Sequence, residues 1–295
     1  MAGKTREIKG RIKAVSNIQR ITKTMQMIAT ARFQAMQRRA TEAQAYTQKI
    51  AELVEELSGA LAAQGQIRHP LLNAPDPAVG KRLLLVITSN RGLCGAYNAN
   101  VLRTAMRFLR DEHPDEQIDV EAVGKKAVSY FKFNRVPVER IHTQFGDKPP
   151  YEEVDRLAER FMQAFTAGQY DGVHVAYTHF KSMSKQEPIV TQLLPMENPT
   201  TDTDEPVGPT ADYEFSPDPE QILAELLPVT VKTRLFQCFN EAVVSEQLAR
   251  MVAMKGATDA AGRMKRDLNR KYNRARQAAI TTELTEIIGG AAALE

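Results

Sequence analysis

The chain has 295 residues, 43% of them hydrophobic and 25% charged, with 6% aromatics and no tryptophan. That balance excludes a disordered or fibrous chain and suits long helices better than a β-sandwich. The formal net charge of +3 hides a segregation. Residues 1–40 carry ten Lys and Arg against the single acid Glu7, whereas residues 197–228 carry nine acids and no base. One end of the molecule is therefore expected to seek an anionic partner.

The first 68 residues contain no proline and show apolar residues at helical spacing: Ile8, Ile12, Val15, Ile18, Met25, Ile28, then Tyr46, Ile50, Leu53, Leu57 and Leu61. This predicts one long helix over 1–68, roughly 90 Å at 1.5 Å per residue. The start, Met1-Ala2-Gly3-Lys4, has no apolar signal core and reads as the mature start of a cytoplasmic protein. His69-Pro70 and Asn73-Ala74-Pro75-Asp76-Pro77 break the helix.

Residues 78–196 alternate strand and helix patterns. Strands are expected at Leu83–Ile87, Ile118–Val123, Val136–Ile141, Val173–Tyr177 and Ile189–Leu194, with helices at Asn98–Asp111, Lys125–Phe133 and Glu152–Phe165. Such alternation predicts a Rossmann-like α/β domain with a largely parallel sheet. Residues 197–228 read as an acidic surface loop, with Tyr213-Glu214-Phe215 as a short strand inside it.

A second proline-free stretch, 229–295, predicts the last helix, ending at Gly289-Gly290. Its stripe runs Leu235, Phe239, Ala242, Ser245, Ala249, Val252, Gly256, Ala260, Met264, Leu268, Tyr272, Ala275 and Ala279. The mean step is about 3.7, close to the helical 3.6, so weak supercoiling is expected. Small residues let two helices approach closely. The fold expected is α/β: a long antiparallel coiled coil of the terminal helices plus the α/β domain.

Chemistry on this chain is hard to find. Ser89-Asn90-Arg91-Gly92-Leu93-Cys94-Gly95 lies where a doubly wound fold holds phosphate. Its glycines do not follow G-x-G-x-x-G and no Gly-Lys-Ser/Thr follows, so a tight strand-to-helix turn is the simpler reading. His174 and His179, five apart, fall on opposite faces of a strand. Cys94 and Cys238 suit neither a disulfide framework nor a metal site and read as buried thiols. No catalytic residue, cofactor or metal is assigned. Nucleic acid and an anionic membrane are alternative partners for the basic helix, but it lacks interleaved aromatics and its apolar stripe calls for protein.

Three motifs carry a resemblance. Near the start stand Arg6-Glu7-Ile8-Lys9 and Ile21-Thr22-Lys23-Thr24-Met25-Gln26-Met27-Ile28-Ala29; in the middle, Ser89 through Asn98; near the end, Ser245-Glu246-Gln247-Leu248-Ala249-Arg250-Met251-Val252-Ala253-Met254-Lys255, then Tyr272 through Thr281 and Glu283. In these the chain closely resembles the gamma subunit of F-type ATP synthases. The resemblance implies a rotor without a catalytic site of its own. Its partners would be a ring of three alpha and three beta subunits, the epsilon subunit and the c-ring. It would lie on the cytoplasmic face of a bacterial membrane, peripheral and attached only through the complex. Carried over by motif, Met25, Arg250, Arg276, Gln277, Thr281 and Glu283 would contact the beta subunit. Met25 reads equally as seam packing, Arg250 and Arg276 as solvated charges, and Thr281 as bonded back to its own helix. Asn90 departs from the family's usual Asp. Gly256 and Gly262 each cost about 1 kcal/mol in a helix and mark either close packing or a flexible point. Two rival readings stay open: a nucleotide-dependent enzyme on the α/β domain, and a basic coiled-coil scaffold.

Overall fold

The computed structural model describes residues 2–62, 69–75, 77–112, 116–196 and 219–292. The elements in chain order are α1 (Ala2–Ala62), β1 (Lys81–Ile87), α2 (Tyr97–Arg107), β2 (Gln117–Val123), α3 (Lys125–Phe133), β3 (Arg140–His142), α4 (Tyr151–Thr166), β4 (Gly172–Phe180), β5 (Gln186–Leu194) and α5 (Pro219–Ala292). A π-helical turn, Phe108–Glu112, extends α2. The acidic stretch before Pro219, with Tyr213-Glu214-Phe215, lies outside the described residues. No described helix is long and apolar enough to cross a membrane.

The chain divides into two compact units, Met1–Ala31 with Arg250–Glu295, and Arg32–Ala249. Both long helices contribute to both units.

The larger unit is built on a five-stranded sheet in the order β3-β2-β1-β4-β5. The pairings of β1 with β2, β1 with β4 and β2 with β3 are parallel; only β5 runs antiparallel, against β4. The sheet is thus largely parallel, as the alternating pattern predicts. The third strand is shorter than expected, because Pro137 cannot donate to a ladder and pairing starts only at Arg140. Side-chain alternation along β1 divides the core. Leu84 and Val86 pack with Val101, Ala105, Ala127 and Phe131 of α2 and α3. Leu83, Leu85 and Ile87 pack with Val154, Phe161 and Phe165 of α4, with Ile50 and Val54 of α1, and with Leu223, Leu227, Leu235 and Phe239 of α5.

That last set explains a difference from the sequence reading. Helix α5 starts at Pro219, not after Pro228, and carries Pro228 inside it. An interior proline costs about 3 kcal/mol. Here Leu223 and Leu227 before it and Val231 after it are all buried in the core, and their burial outweighs that cost. Pro219 supplies an ordinary helix start. At the other end the helix runs through Gly289-Gly290 to Ala292 rather than stopping there.

The smaller unit is the antiparallel pairing of the first turns of α1 with the last turns of α5. Lys265 Nζ donates to Ser16 Oγ at 3.2 Å, and Thr258 Oγ1 donates to Thr22 Oγ1 at 2.9 Å. A methyl group placed on Gly262 would come within 3.1 Å of Gln19 Nε2. Facing residue numbers therefore add to 280 or 281. Gly262 marks close packing, whereas Gly256 meets open space.

The seam corrects the apolar stripe read from sequence. On α1 a covered line runs Thr5, Ile8, Ile12, Val15, Gln19, Thr22, Gln26 and Ala29, flanked by half-covered Ser16 and Met25; on α5 it runs Met254, Thr258, Ala261, Lys265, Leu268, Tyr272, Ala275 and Ala279, flanked by half-covered Gly262. Both lists alternate steps of three and four, a heptad with its left-handed tendency, not the 3.7-residue stripe. Ile18 and Ile28 of α1, and Val252, Gly256, Ala260 and Met264 of α5, face outward instead. Counting apolar residues went astray because Gln19, Thr22, Thr258 and Lys265 occupy seam positions.

Candidate functional site: the helix pair and the filled crevice

In a doubly wound sheet a ligand sits at the carboxyl ends of the strands where the order reverses, here beside β1 and β4. That place is occupied by the chain itself. Tyr97 Oη donates to the carbonyl of Ala242 at 3.0 Å, and Phe145 stacks on Phe239 with ring centroids 4.5 Å apart. The cavity left among Thr88, Asn90, Tyr97, Phe145, Phe239 and Glu246 is about 20 Å³, room for one water.

The segment that follows β1 is held by side chains as well, with Ser89 N donating to Asn98 Oδ1 at 3.0 Å. Asn90 Oδ1 accepts from Lys125 N, Ser89 O from Lys126 N and Thr88 Oγ1 from Ala127 N, so the first turn of α3 is capped from β1. Asn90 Nδ2 also donates to Phe145 O at 2.9 Å. An amide performs both bonds at once, which a carboxylate could not, and this gives Asn90 its role. Gly124, at φ +87°, lets β2 pass under this turn: a Cβ there would lie 2.3 Å from Thr88 O. Cys94 and Cys238 are both buried. His174 lies against Phe108 at 4.8 Å, while His179 bonds Glu241, so the two histidines are separated as expected.

A charged cluster is buried under β2. Glu121 is bound by both terminal nitrogens of Arg160, at 2.8 and 2.5 Å, and by His142 at 2.7 Å. Burial alone pushes the Glu121 carboxyl up, but the bonds from His142 and Arg160 outweigh it and hold it below the usual carboxylate range. It ties α4 and β3 to β2.

Of the residues the motifs single out, Arg276 and Glu283, seven apart on α5, share one face of that helix. They line an open groove of about 410 Å³ with Arg6, Lys9, Tyr272 and Ile280. Three cations against one carboxylate make it attractive to an acidic segment. Arg6 and Lys9 were missed as site residues, although the Arg6-Glu7-Ile8-Lys9 motif contained them. Gln277 and Thr281 are exposed outside that groove, and Thr281 Oγ1 donates to Gln277 O at 2.9 Å, the back-bonded arrangement. Met25 is half-buried at the edge of the seam. Arg250 is only 7% exposed, which corrects its reading as a solvated charge.

The ATP synthase family model matches residues 4–294. The chain is 43% identical to the ATP synthase gamma chain of Rhodopirellula baltica over 98% of each chain. It is 40% identical to that of Mycolicibacterium smegmatis, covering 100% of this chain and 99% of that one. This chain belongs to the ATP synthase gamma chain family. Among solved structures, a chain of the Euglena gracilis mitochondrial ATP synthase, in its OSCP/F1/c-ring assembly, matches with a TM-score of 0.68 at 18% identity, over 100% of this chain and 95% of that one. A chain of the Tetrahymena thermophila mitochondrial ATP synthase central stalk and c-ring matches with a TM-score of 0.57 at 20% identity, over 80% and 99%. These share its fold, with two long terminal helices and a mostly parallel sheet.

Proposed function

We propose that this gamma-chain family member is the central-stalk rotor of an F-type ATP synthase, transmitting ion-driven rotation of a c-ring to a ring of three alpha and three beta subunits. The observation that carries the reading is the antiparallel helix pair formed by two different sequences, with apolar residues left on its outside. Ile18, Ile21, Met27, Ile28, Val252 and Met264 are exposed there. Toward the end of α5, Ile280, Leu284, Ile287 and Ile288 are exposed as well. Isolated, such surfaces are a liability; inside a sleeve they are a bearing.

An axle without threefold symmetry touches three otherwise equivalent catalytic pairs differently. Each orientation therefore favours a different set of states, and turning it permutes them. Met25, Arg250, Arg276, Gln277, Thr281 and Glu283 are the residues proposed to meet the beta subunit. The α/β domain is proposed to meet the epsilon subunit and the c-ring, placing the chain peripherally on the cytoplasmic face of a bacterial membrane. Catalytic groups would then come from the other subunits. The filled crevice at β1 and β4 speaks against the nucleotide-enzyme reading.

Affinity purification of the chain from its native membrane, with identification of what comes with it, tests the assignment. Recovery with alpha, beta, epsilon and c subunits is expected. Recovery alone, or with unrelated proteins, would overturn it.

A further inference from the structure

The seam of the helix pair changes character along its length. Ile8, Ile12 and Val15 lie toward one end of the α1 stretch, and Ala29 lies at the other. Between them Ser16 bonds Lys265, Gln19 lies over Gly262, and Thr22 meets Thr258. These are three consecutive polar levels within the seam, with Thr22 buried and the others half-covered.

Hydrophobic burial does not explain them, because apolar side chains would bury more favourably. Nor does it explain how one register is chosen. The remaining seam is rich in alanine, with Ala29, Ala261, Ala275 and Ala279. A lone alanine methyl offers little shape by which to hold one register. Hydrogen bonds are directional and do not survive a slip of one turn. At Thr22 the two hydroxyls meet: Thr22 Oγ1 donates to Gln19 O at 3.1 Å, and the single Thr258 hydroxyl hydrogen is shared between Thr22 Oγ1 at 2.9 Å and Met254 O at 2.8 Å. Displaced by one turn in the sense that sets Ile12 against Tyr272, Thr22 would face Gly262 and lose its hydroxyl partner, while Lys265 would leave Ser16 and face Gln19. Buried polar residues at seam positions act in this way in coiled coils, exchanging some stability for a single register.

We infer that the Ser16–Lys265, Gln19–Gly262 and Thr22–Thr258 levels form a register clamp that opposes sliding of α1 along α5, with Thr22 and Thr258 as its central positioning residues. The clamp follows from the pair alone and does not depend on the rotor assignment. It predicts what an apolar seam would lack, namely resistance to axial slip independent of overall stability.

Disulfide trapping in the full chain tests it. Cysteines at Ile12→Cys and Leu268→Cys sit in register; Ile12→Cys with Tyr272→Cys is displaced by one turn. The ratio of displaced to in-register closure rates is measured in the parent, in Thr22→Val/Thr258→Val/Lys265→Met, and in Thr22→Ser/Thr258→Ser. The apolar variant is expected to raise the ratio about tenfold, the worth of one or two net hydrogen bonds, without lowering the melting temperature. The serine variant, which keeps both hydroxyls, is expected to match the parent. An unchanged ratio in the apolar variant overturns the clamp, and so does a fall in melting temperature with the ratio unchanged, which marks a merely stabilising layer. Should the triple variant fail to fold, Thr22→Val/Thr258→Val carries the same two outcomes.

Discussion

Tyr97 reaches from the first turn of α2 to the main-chain oxygen of Ala242 in the first third of α5, at 3.0 Å. This bond closes the crevice where a doubly wound fold would hold a nucleotide. Removing the hydroxyl by Tyr97→Phe is expected to cost about 1 kcal/mol, the net worth of a buried hydrogen bond, read as a lower urea midpoint with unchanged slope. Equilibrium dialysis of the isolated chain against ATP and NAD is expected to show no tight site before or after the change. Tight binding would revive the enzyme reading.

Gly124 stands at φ +87° with no room for a side chain beside Thr88 O. Gly124→Ala is therefore expected to destabilise the larger unit by roughly 3 kcal/mol, combining left-handed strain with a backbone clash. Thermal unfolding followed by circular dichroism checks it. A loss below 1 kcal/mol would mean that the turn relaxes easily.

The Glu121 cluster makes stability pH-dependent in a definite sense. Its carboxyl is depressed in the folded chain, so its contribution is complete above the ordinary carboxylate range and fades as pH falls through the lower folded value. Glu121→Gln leaves Arg160 and His142 against a neutral group and is expected to cost about 3–5 kcal/mol at neutral pH. It should also flatten the acid limb of the stability curve. Urea titrations across the acid range compare the two proteins; parallel curves would remove Glu121 as a source of the slope.

Burial pushes the Cys238 thiol up to about 12, and Cys94 is equally covered. Neither is expected to react with a thiol reagent at neutral pH until the chain unfolds. Rapid labelling of either cysteine in the native chain would contradict the packing around it.

Arg276 is exposed in the groove it shares with Arg6, Lys9 and Glu283. Arg276→Ala is expected to leave folding within about 0.5 kcal/mol of the parent, as for a surface change. Under the rotor proposal it weakens assembly or coupling in the reconstituted complex. Unchanged ATPase activity and torque would remove it from the contact set.

The sheet was legible because its signals are local. Leu83–Ile87 could only be a buried strand, and Lys125–Phe133 appears as read. The long helices were legible from the absence of proline, but Pro228 misled at the one place where core burial overrides propensity. The seam was the least legible part. A period read from apolar residues cannot see that Thr22 and Thr258 satisfy each other, or that Gln19 covers a glycine. For the same reason Ile18 and Val252 were placed inside, although both face outward. The motif residues split likewise. Arg276 and Glu283 meet in one groove, while the burial of Arg250 depends on three-dimensional packing that no spacing in the sequence announces.

Under the rotor proposal this chain must turn for the complex to work. A cysteine pair linking the outer face of the helix pair to a beta subunit, in the reconstituted ring of alpha and beta subunits, tests it most directly. Oxidation to the disulfide is expected to stop ATP turnover, and reduction to restore it. Undiminished turnover with the chain locked to the ring would contradict the account.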